Sequence, residues 1–354
     1  MSFEKRLVAI IEATGPMSVA DWMNACLYDP EDGYYTTREP FGTGGDFTTA
    51  PEISQIFGEL VAAWLAHGWR EMGAPGDAIL VEIGPGRGTL MLDMARTVQR
   101  LAPSLVARLH LVETSPRLRD VQRERLSEAG LEANWHESIE TLPEAPALMV
   151  ANELFDAIPA RQFTALGGRW VERCVGLVDG RPAFVHGAGT LPEKAVVPDG
   201  TIIEIAPARE AIMTGVAGHL ARYDGLMLTI DYGSEGGPQG LPGSTLQALK
   251  DQRPADPLEA PGRADLTTHV DFAALASAAR EAGAHTLGPM PQGEFLLALG
   301  LLERAGALGA GAGEAERDAI RAAVERLAGP DAMGTLFKVL AVSGRERRLL
   351  PFGT

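Results

Sequence analysis

"VEIGPGRGTLMLD", Val81 to Asp93, places three glycines and a proline between an apolar run and an amphipathic one. Glycine after a buried strand permits a tight turn and lets a ligand approach the backbone with no Cβ in the way. The pattern predicts a strand through "AILVEIG", a ligand loop at Gly84, Pro85, Gly86 and Gly88, and a helix from about Thr89 through "TLMLDMARTVQRLA". Ligands of open α/β sheets bind at the carboxyl ends of the strands. The amide-rich start of the following helix favours an anionic or carboxylate-bearing ligand there.

The alternation continues outward. "ARLHLVETS" reads as a strand, "PRLRDVQRERLSEAG" as a helix opened by Pro116, Leu131 to Trp135 as a short strand, and "ALMVANELFD" as an apolar run ending in acids and amides. Strands apolar throughout are buried on both faces, the mark of a parallel sheet. After Pro159 the text becomes "RQFTALGGRWVERCVGLVDGRPAFVHG", where "GG" and "DG" separate alternating segments as in antiparallel hairpins. The rhythm resumes with a helix over Pro207 to Arg222 and the strand "GLMLTIDYG". A Gly/Pro-rich stretch to Thr267, a helix from Val270 to Ala282 and a strand near Ala284 to Gly288 follow, then a helical segment and a last strand, "TLFKVLAVSG". Before the first core strand, Phe3 to Ala13 has helical spacing, Ser18 can cap a second helix to about Leu27, and a helix with Trp64 and Leu65 on its apolar side runs to about Met72. The chain therefore divides into a helical cap with a lid segment, residues 1–75, and a core, residues 76–354, with insertions at about 160–205, 234–268 and 291–330.

A net charge of -16 without clustered Lys or Arg argues against nucleic acid as a partner. An acidic surface suits a cationic partner, or simply keeps the protein soluble. No apolar run is long enough to cross a bilayer, so no membrane insertion is expected. Cys26 and Cys174 form neither a CxxC nor a His-spaced pattern, so no disulfide framework and no metal site is signalled; the expected location is cytoplasmic. The first residues read as a structural helix and not as a signal or transit peptide.

A dinucleotide fingerprint reads G-x-G-x-x-G, whereas this loop reads G-P-G-R-G, and no Gly-Lys-Ser/Thr follows to make a P-loop. The E-x-G-x-G-x-G spacing led by Glu82 looks like the first motif of class I methyltransferases, which bind S-adenosyl-L-methionine. Glu113 ends the second strand, where a carboxylate can accept both ribose hydroxyls; the alternative is a solvated strand end. "HESIETLP" resembles the adenine-reading segment of that superfamily, with Ser138 where Asp is commoner, leaving a backbone contact at Ile139. "ANELFDAIP" ends the fourth strand with Asn152, Glu153 and Asp156, which can face the transferred methyl group or merely cap a helix.

Together with these motifs, "GGDFTTAPEISQIFGE" (Gly44 to Glu59), "ANELFDAIPARQF" (Ala151 to Phe163), "DYG" (Asp231 to Gly233), "PGRADLTTHVDF" (Pro261 to Phe272) and "MGTLFKVL" (Met333 to Leu340) make the chain resemble the complex I assembly factor 7 type of protein arginine methyltransferases and their bacterial relatives. The resemblance implies an α/β, Rossmann-like class I fold: a seven-stranded, mostly parallel sheet with an antiparallel last strand. It implies S-adenosyl-L-methionine as cofactor and transfer to an arginine of a protein, in the family a respiratory complex I subunit. It carries the cofactor role to Gly84, Pro85, Gly86, Gly88 and Glu113, and its motifs suggest roles for Thr48 and Thr49 toward the cofactor and for Asp46 and Phe47 toward the substrate. Glu82, Ser138, Ile139 and Asn152 complete the cofactor candidates, while Asp231, Tyr232 and His269 are candidates to border the substrate, with a structural role as the alternative for each. "GGDFTTAPE" can close as a lid hinged at Gly44 and Gly45, or form a rigid turn.

Arginine is protonated at neutral pH and a poor nucleophile, so carboxylates must grip the guanidinium and accept its proton. Glu153 and Asp156 are the candidates for that role. Three other readings stay open: a methyltransferase for another nucleophile, a nicotinamide oxidoreductase, and a non-catalytic assembly factor keeping the cofactor pocket for structure.

Overall fold

A computed structural model describes residues 1–38, 49–106, 108–235 and 244–352. The chain forms two compact units, one of Met1–Phe47, Phe155–Glu210 and Gly236–Asp271, the other of Thr48–Leu154, Ala211–Glu235 and Phe272–Thr354.

The larger unit holds the parallel sheet. Its strands are β1 (Ile79–Ile83), β2 (Leu109–Val112), β3 (Ala133–His136), β4 (Ala147–Asn152), β5 (Gly225–Ser234), β6 (His285–Pro291) and β7 (Phe337–Ser343), in the order β3-β2-β1-β4-β5-β7-β6. β1 to β5 run parallel, while β7 lies antiparallel to both β5 and β6. This is the mostly parallel sheet with an antiparallel last strand that the sequence suggests. Every residue of β1 and of β2 is buried, so both strands are mostly apolar, Glu82 and His110 being the polar residues they take into the interior. Leu80, Leu109, Leu148, Leu228 and Val339 from the strands share one core with Phe57, Trp64, Met91 and Phe295 from helices. The helix after β2 begins at Pro116, and Ser115 caps it by accepting from the Leu118 amide. The expected helical segment after residue 291 is three helices, Gln292–Ala298, Leu301–Gly309 and Glu314–Ala328.

The other unit is built on antiparallel pairs. Arg161–Leu166, Arg169–Val178 and Arg181–Lys194 form consecutive hairpins; Ile202–Ile205 pairs with Arg161–Leu166, and Met17–Ser18 pairs with Cys174 and Val175 of the middle strand. The two hairpin turns have left-handed backbone at both central positions, Gly167 with Gly168 and Asp179 with Gly180, as two-residue turns that match strand twist require. A second small sheet, Gln247–Lys250, Arg253–Ala255 and Asp265–Thr267, occupies the stretch that the sequence leaves as loop. Helices Phe3–Thr14 and Val19–Tyr28 place Phe3, Leu7, Ile11 and Trp22 in a core with Val175, Leu246 and Leu266. Ser18 caps the second helix, its hydroxyl accepting from the Asp21 amide at 3.0 Å. Among the described residues, no helix is long and apolar enough to cross a membrane.

Candidate active site

Strand register brings the sequence-singled residues of the larger unit to one edge. Ile83 lies beside both Val112 and Ala151, and Asn152 beside Ile230. The next residues in each strand are therefore Gly84, Glu113, Glu153 and Asp231, all at the carboxyl ends. Gly84, Gly86 and Gly88 have φ of +66°, +52° and +76°, a conformation in which a side chain is strained. The Gly88 amide closes the turn onto the Pro85 carbonyl at 2.7 Å, and helix Thr89–Leu101 starts directly behind it.

Three acceptors border this loop. Glu82 is 3% exposed, and burial pushes its carboxyl up to about 8, with Asp93 and Glu113 adding to the effect and the Met91 amide opposing it. Its Oε2 has no hydrogen-bond partner among the described residues, and neither does Asn152 Oδ1. Glu113 is buried; its Oε1 accepts from the Ser115 amide at 2.8 Å and its Oε2 from Gln122 Nε2 at 3.2 Å. Burial raises the Glu113 carboxyl above the usual range, while Ser115, Gln122, Thr114 and Arg119 pull the other way. Buried acceptors without donors are costly unless a ligand supplies donors. A nucleoside with a diol and a cationic amino group, as S-adenosyl-L-methionine has, fits that donor deficit and a loop in which every second residue is glycine.

Ser138 precedes the short turn Ile139–Thr141; its hydroxyl bonds Glu140, and its carbonyl accepts from Thr141 Oγ1 at 2.9 Å. Ile139 is buried. Glu153 has left-handed backbone, φ +50°, uncommon for a non-glycine residue and of the kind found at functional sites. Its Oε1 accepts from the Ala50 amide at 2.9 Å and from Asn152 Nδ2 at 3.0 Å. Thr49 precedes the turn Ala50–Ile53, its carbonyl accepting from Glu52 and Ile53. Asp231 is fully buried, its Oδ1 accepting from the Tyr232 amide at 2.9 Å, and the Tyr232 ring packs on Phe337. Asp46, Phe47, Thr48 and the lid hinge at Gly44 and Gly45 lie outside the described residues.

Asp156 and His269 belong to the other unit, since the division falls between Leu154 and Phe155. Asp156 is 7% exposed, and its Oδ1 accepts from the Ala157 amide at 2.8 Å. The His269 amide donates to Thr245 Oγ1, and burial holds the imidazole below its ordinary range, with Arg209 adding and Glu204 opposing. Two residues were not legible as site residues in the sequence. Arg209 donates to the carbonyls of Asp156, Ile158 and His269 and to Thr268 Oγ1, tying the Asp156 turn to the "THVDF" segment. Gln122, fully buried, reaches both the glycine loop and Glu113.

A parallel sheet in this order with a glycine-rich loop after β1 and a carboxylate at the end of β2 defines a nucleoside-binding enzyme of the Rossmann-like class. The chain belongs to a family of S-adenosyl-L-methionine-dependent methyltransferases, whose match spans residues 60–290. It is 34% identical over 96% of its length to a Drosophila melanogaster protein named protein arginine methyltransferase NDUFAF7 homolog, mitochondrial, covering 84% of that protein. It is 31% identical over 97% of its length to protein arginine methyltransferase NDUFAF7, mitochondrial, of Homo sapiens, covering 83% of it. A crystal structure from Burkholderia thailandensis bound to S-adenosyl-homocysteine superposes with a TM-score of 0.84 at 30% identity, covering 98% of this chain and 93% of that one. The protein is thus an S-adenosyl-L-methionine-dependent methyltransferase. The cytoplasmic expectation is corrected: these relatives carry the designation mitochondrial. Cys26 and Cys174 are free and buried, which any reducing compartment accommodates, so they carry no cytosolic address.

Proposed function

We propose that the protein methylates an arginine side chain of another protein, with Glu153 as the group that handles the guanidinium. The observation that carries this reading is Glu153, whose carboxylate is set by two donors on a left-handed backbone at the carboxyl end of β4. The names of the relatives, similar across nearly the whole chain, support arginine as the acceptor. Gly84, Pro85, Gly86 and Gly88 would lie along the methionyl part of the cofactor, Glu82 and Asn152 would accept from its amino group, and Glu113 would accept from the ribose diol. Ser138 and Ile139 would border the adenine, and Thr49 the methionyl end. Asp231 and Tyr232 would line the path of the substrate.

S-adenosyl-L-methionine supplies a methyl carbon bonded to a sulfonium, open to in-line displacement. The carboxylate of Glu153 holds the guanidinium by charge-assisted hydrogen bonds and localises its charge away from the attacking nitrogen. That nitrogen forms the new N–C bond as the C–S bond breaks and its electron pair stays on sulfur. The proton released from nitrogen passes to Glu153. Fixing the side chain before reaction lowers the entropic part of the barrier.

The test is incubation of the pure protein with labelled S-adenosyl-L-methionine and extract of cells lacking it, followed by mass spectrometry of labelled peptides. Methylarginine on one protein, a respiratory complex I subunit by the family resemblance, is expected. Label on another residue type, or none, overturns the reading.

A further inference from the structure

The second helix of the parallel core (Pro116–Glu128) turns one side chain, Gln122, toward two separate parts of the candidate cofactor site. Gln122 Nε2 donates to the Gly86 carbonyl at 2.8 Å and to Glu113 Oε2 at 3.2 Å. Its Oε1 accepts from Trp135 Nε1, on β3, at 2.9 Å. An indole nitrogen donates only, so Trp135 fixes which end of the amide is oxygen. Both hydrogens of the opposite end are thereby committed to the two acceptors. Gln122 is fully buried, so no water can substitute for it. A Cβ on Gly88 would sit 3.6 Å from Gln122 Cγ, which places the side chain against the end of the loop as well as its middle.

We propose that Gln122 is a positioning residue for cofactor recognition: it aims the Glu113 carboxylate at the ribose diol and locks the glycine loop in register with it. This rests on the reading of Glu113 as the ribose acceptor. Oε1 of Glu113 is oriented from its own side by the Ser115 amide, so Gln122 governs the other oxygen. Two acceptor oxygens at a fixed angle distinguish a diol from a single hydroxyl, whereas a carboxylate free to turn does not. Gln122 touches no reacting atom; its effect is on which nucleoside the site prefers.

The test compares binding of S-adenosyl-homocysteine and its 2′-deoxy analogue by calorimetry in the wild type, Gln122→Glu, Gln122→Met and Glu113→Gln. Gln122→Glu keeps the size and the acceptor for Trp135 while removing both donors; Gln122→Met keeps the volume alone. Thermal melting confirms that each variant folds, and the isosteric Gln122→Glu serves if Gln122→Met does not. The wild type is expected to prefer the ribo form by roughly tenfold or more, the usual scale for charge-assisted hydrogen bonds. Both Gln122 variants are expected to lose most of that preference. If Glu113→Gln retains the full preference, the ribose reading of Glu113 falls and the inference with it. If Glu113→Gln loses it while folded Gln122 variants keep it, Glu113 stands and Gln122 is structural only.

Discussion

Glu153 Oε1 and the amide of Ala50 are 2.9 Å apart, so the carboxylate at the end of β4 holds the first turn that follows the segment "GGDFTT". One side chain is thereby assigned two tasks in our proposal: fixing a backbone segment beside the sheet edge and handling the substrate cation. The amide isostere separates them poorly in stability but well in rate. Glu153→Gln keeps an oxygen for Ala50 and loses the negative charge. It is expected to lower turnover by about 10²-fold or more, the usual contribution of a positioned acid or base, with S-adenosyl-homocysteine affinity changed little. Steady-state kinetics beside calorimetry checks this; unchanged turnover removes Glu153 from the mechanism.

Arg209 ties carbonyls of residues 156, 158 and 269 with one planar fork and is only 4% exposed. A lysine ammonium at this site has three donors on a flexible stem and cannot span the same oxygens. Arg209→Lys is expected to cost roughly 2–4 kcal/mol of stability, because buried carbonyls lose charged donors. Denaturant titration measures it. A variant as stable as the wild type would show that the fork contributes packing alone.

The parts of this fold that are legible in the sequence are those governed by local rules. β1, β2 and β4 are buried on both faces, and the hairpin at Asp179 and Gly180 uses a dipeptide that takes left-handed backbone readily. The hairpin joining Gln247–Lys250 to Arg253–Ala255 turns at Asp251 and Gln252, φ +50° and +60°, with no glycine to announce it. Its strands are short and carry Lys250 and Arg253, so neither alternation nor turn chemistry marks them. Of the site, the glycine loop and the strand-end acids are visible because each sits where a motif ends. Arg209 and Gln122 are ordinary helix residues until the fold brings distant carbonyls to them. The cytoplasmic expectation failed for a different reason: burial of two thiols is a property of the fold, and location is not.

Glu82 makes the stability of the larger unit depend on pH. Burial raises its carboxyl from the ordinary 4.5 to about 8, so the folded state keeps a proton that the unfolded chain releases above 4.5. Stability therefore falls as pH rises between those values. Asp93, pushed up to about 6, mainly by burial, acts in the same direction over a narrower range. Glu82→Gln removes one of the two contributions and keeps an acceptor for the Met91 amide. The melting temperature of Glu82→Gln relative to the wild type is expected to climb from about pH 5 to about pH 8. A constant offset across that range would mean Glu82 is ionised in the folded protein.

His110 and His136 give the opposite slope on the acid side. Their rings stack at 5.1 Å, and His110 Nδ1 lies 2.8 Å from His136 Nε2, so one nitrogen of the contact must be an acceptor. Burial lowers His110 to about 4, with His136 and Arg108 adding, and lowers His136 too, with Arg119 adding and the Thr141 contact opposing. Between the ordinary 6.5 and about 4 the unfolded chain binds protons that the folded pair refuses, so stability is lost as pH falls through that window. The pair joins β2 to β3, the strands that lead into Glu113 and Ser138, so acid strain falls beside the residues proposed to hold the nucleoside. His110→Phe keeps a stacking ring and removes one titrating group. The stability lost between about pH 6.5 and about pH 4.5 is expected to shrink by roughly 2 kcal/mol relative to the wild type. Urea titrations at the two ends of that range decide it, and superimposable pH slopes for the two proteins would show that the histidine pair is not what the acid side of the stability curve reports.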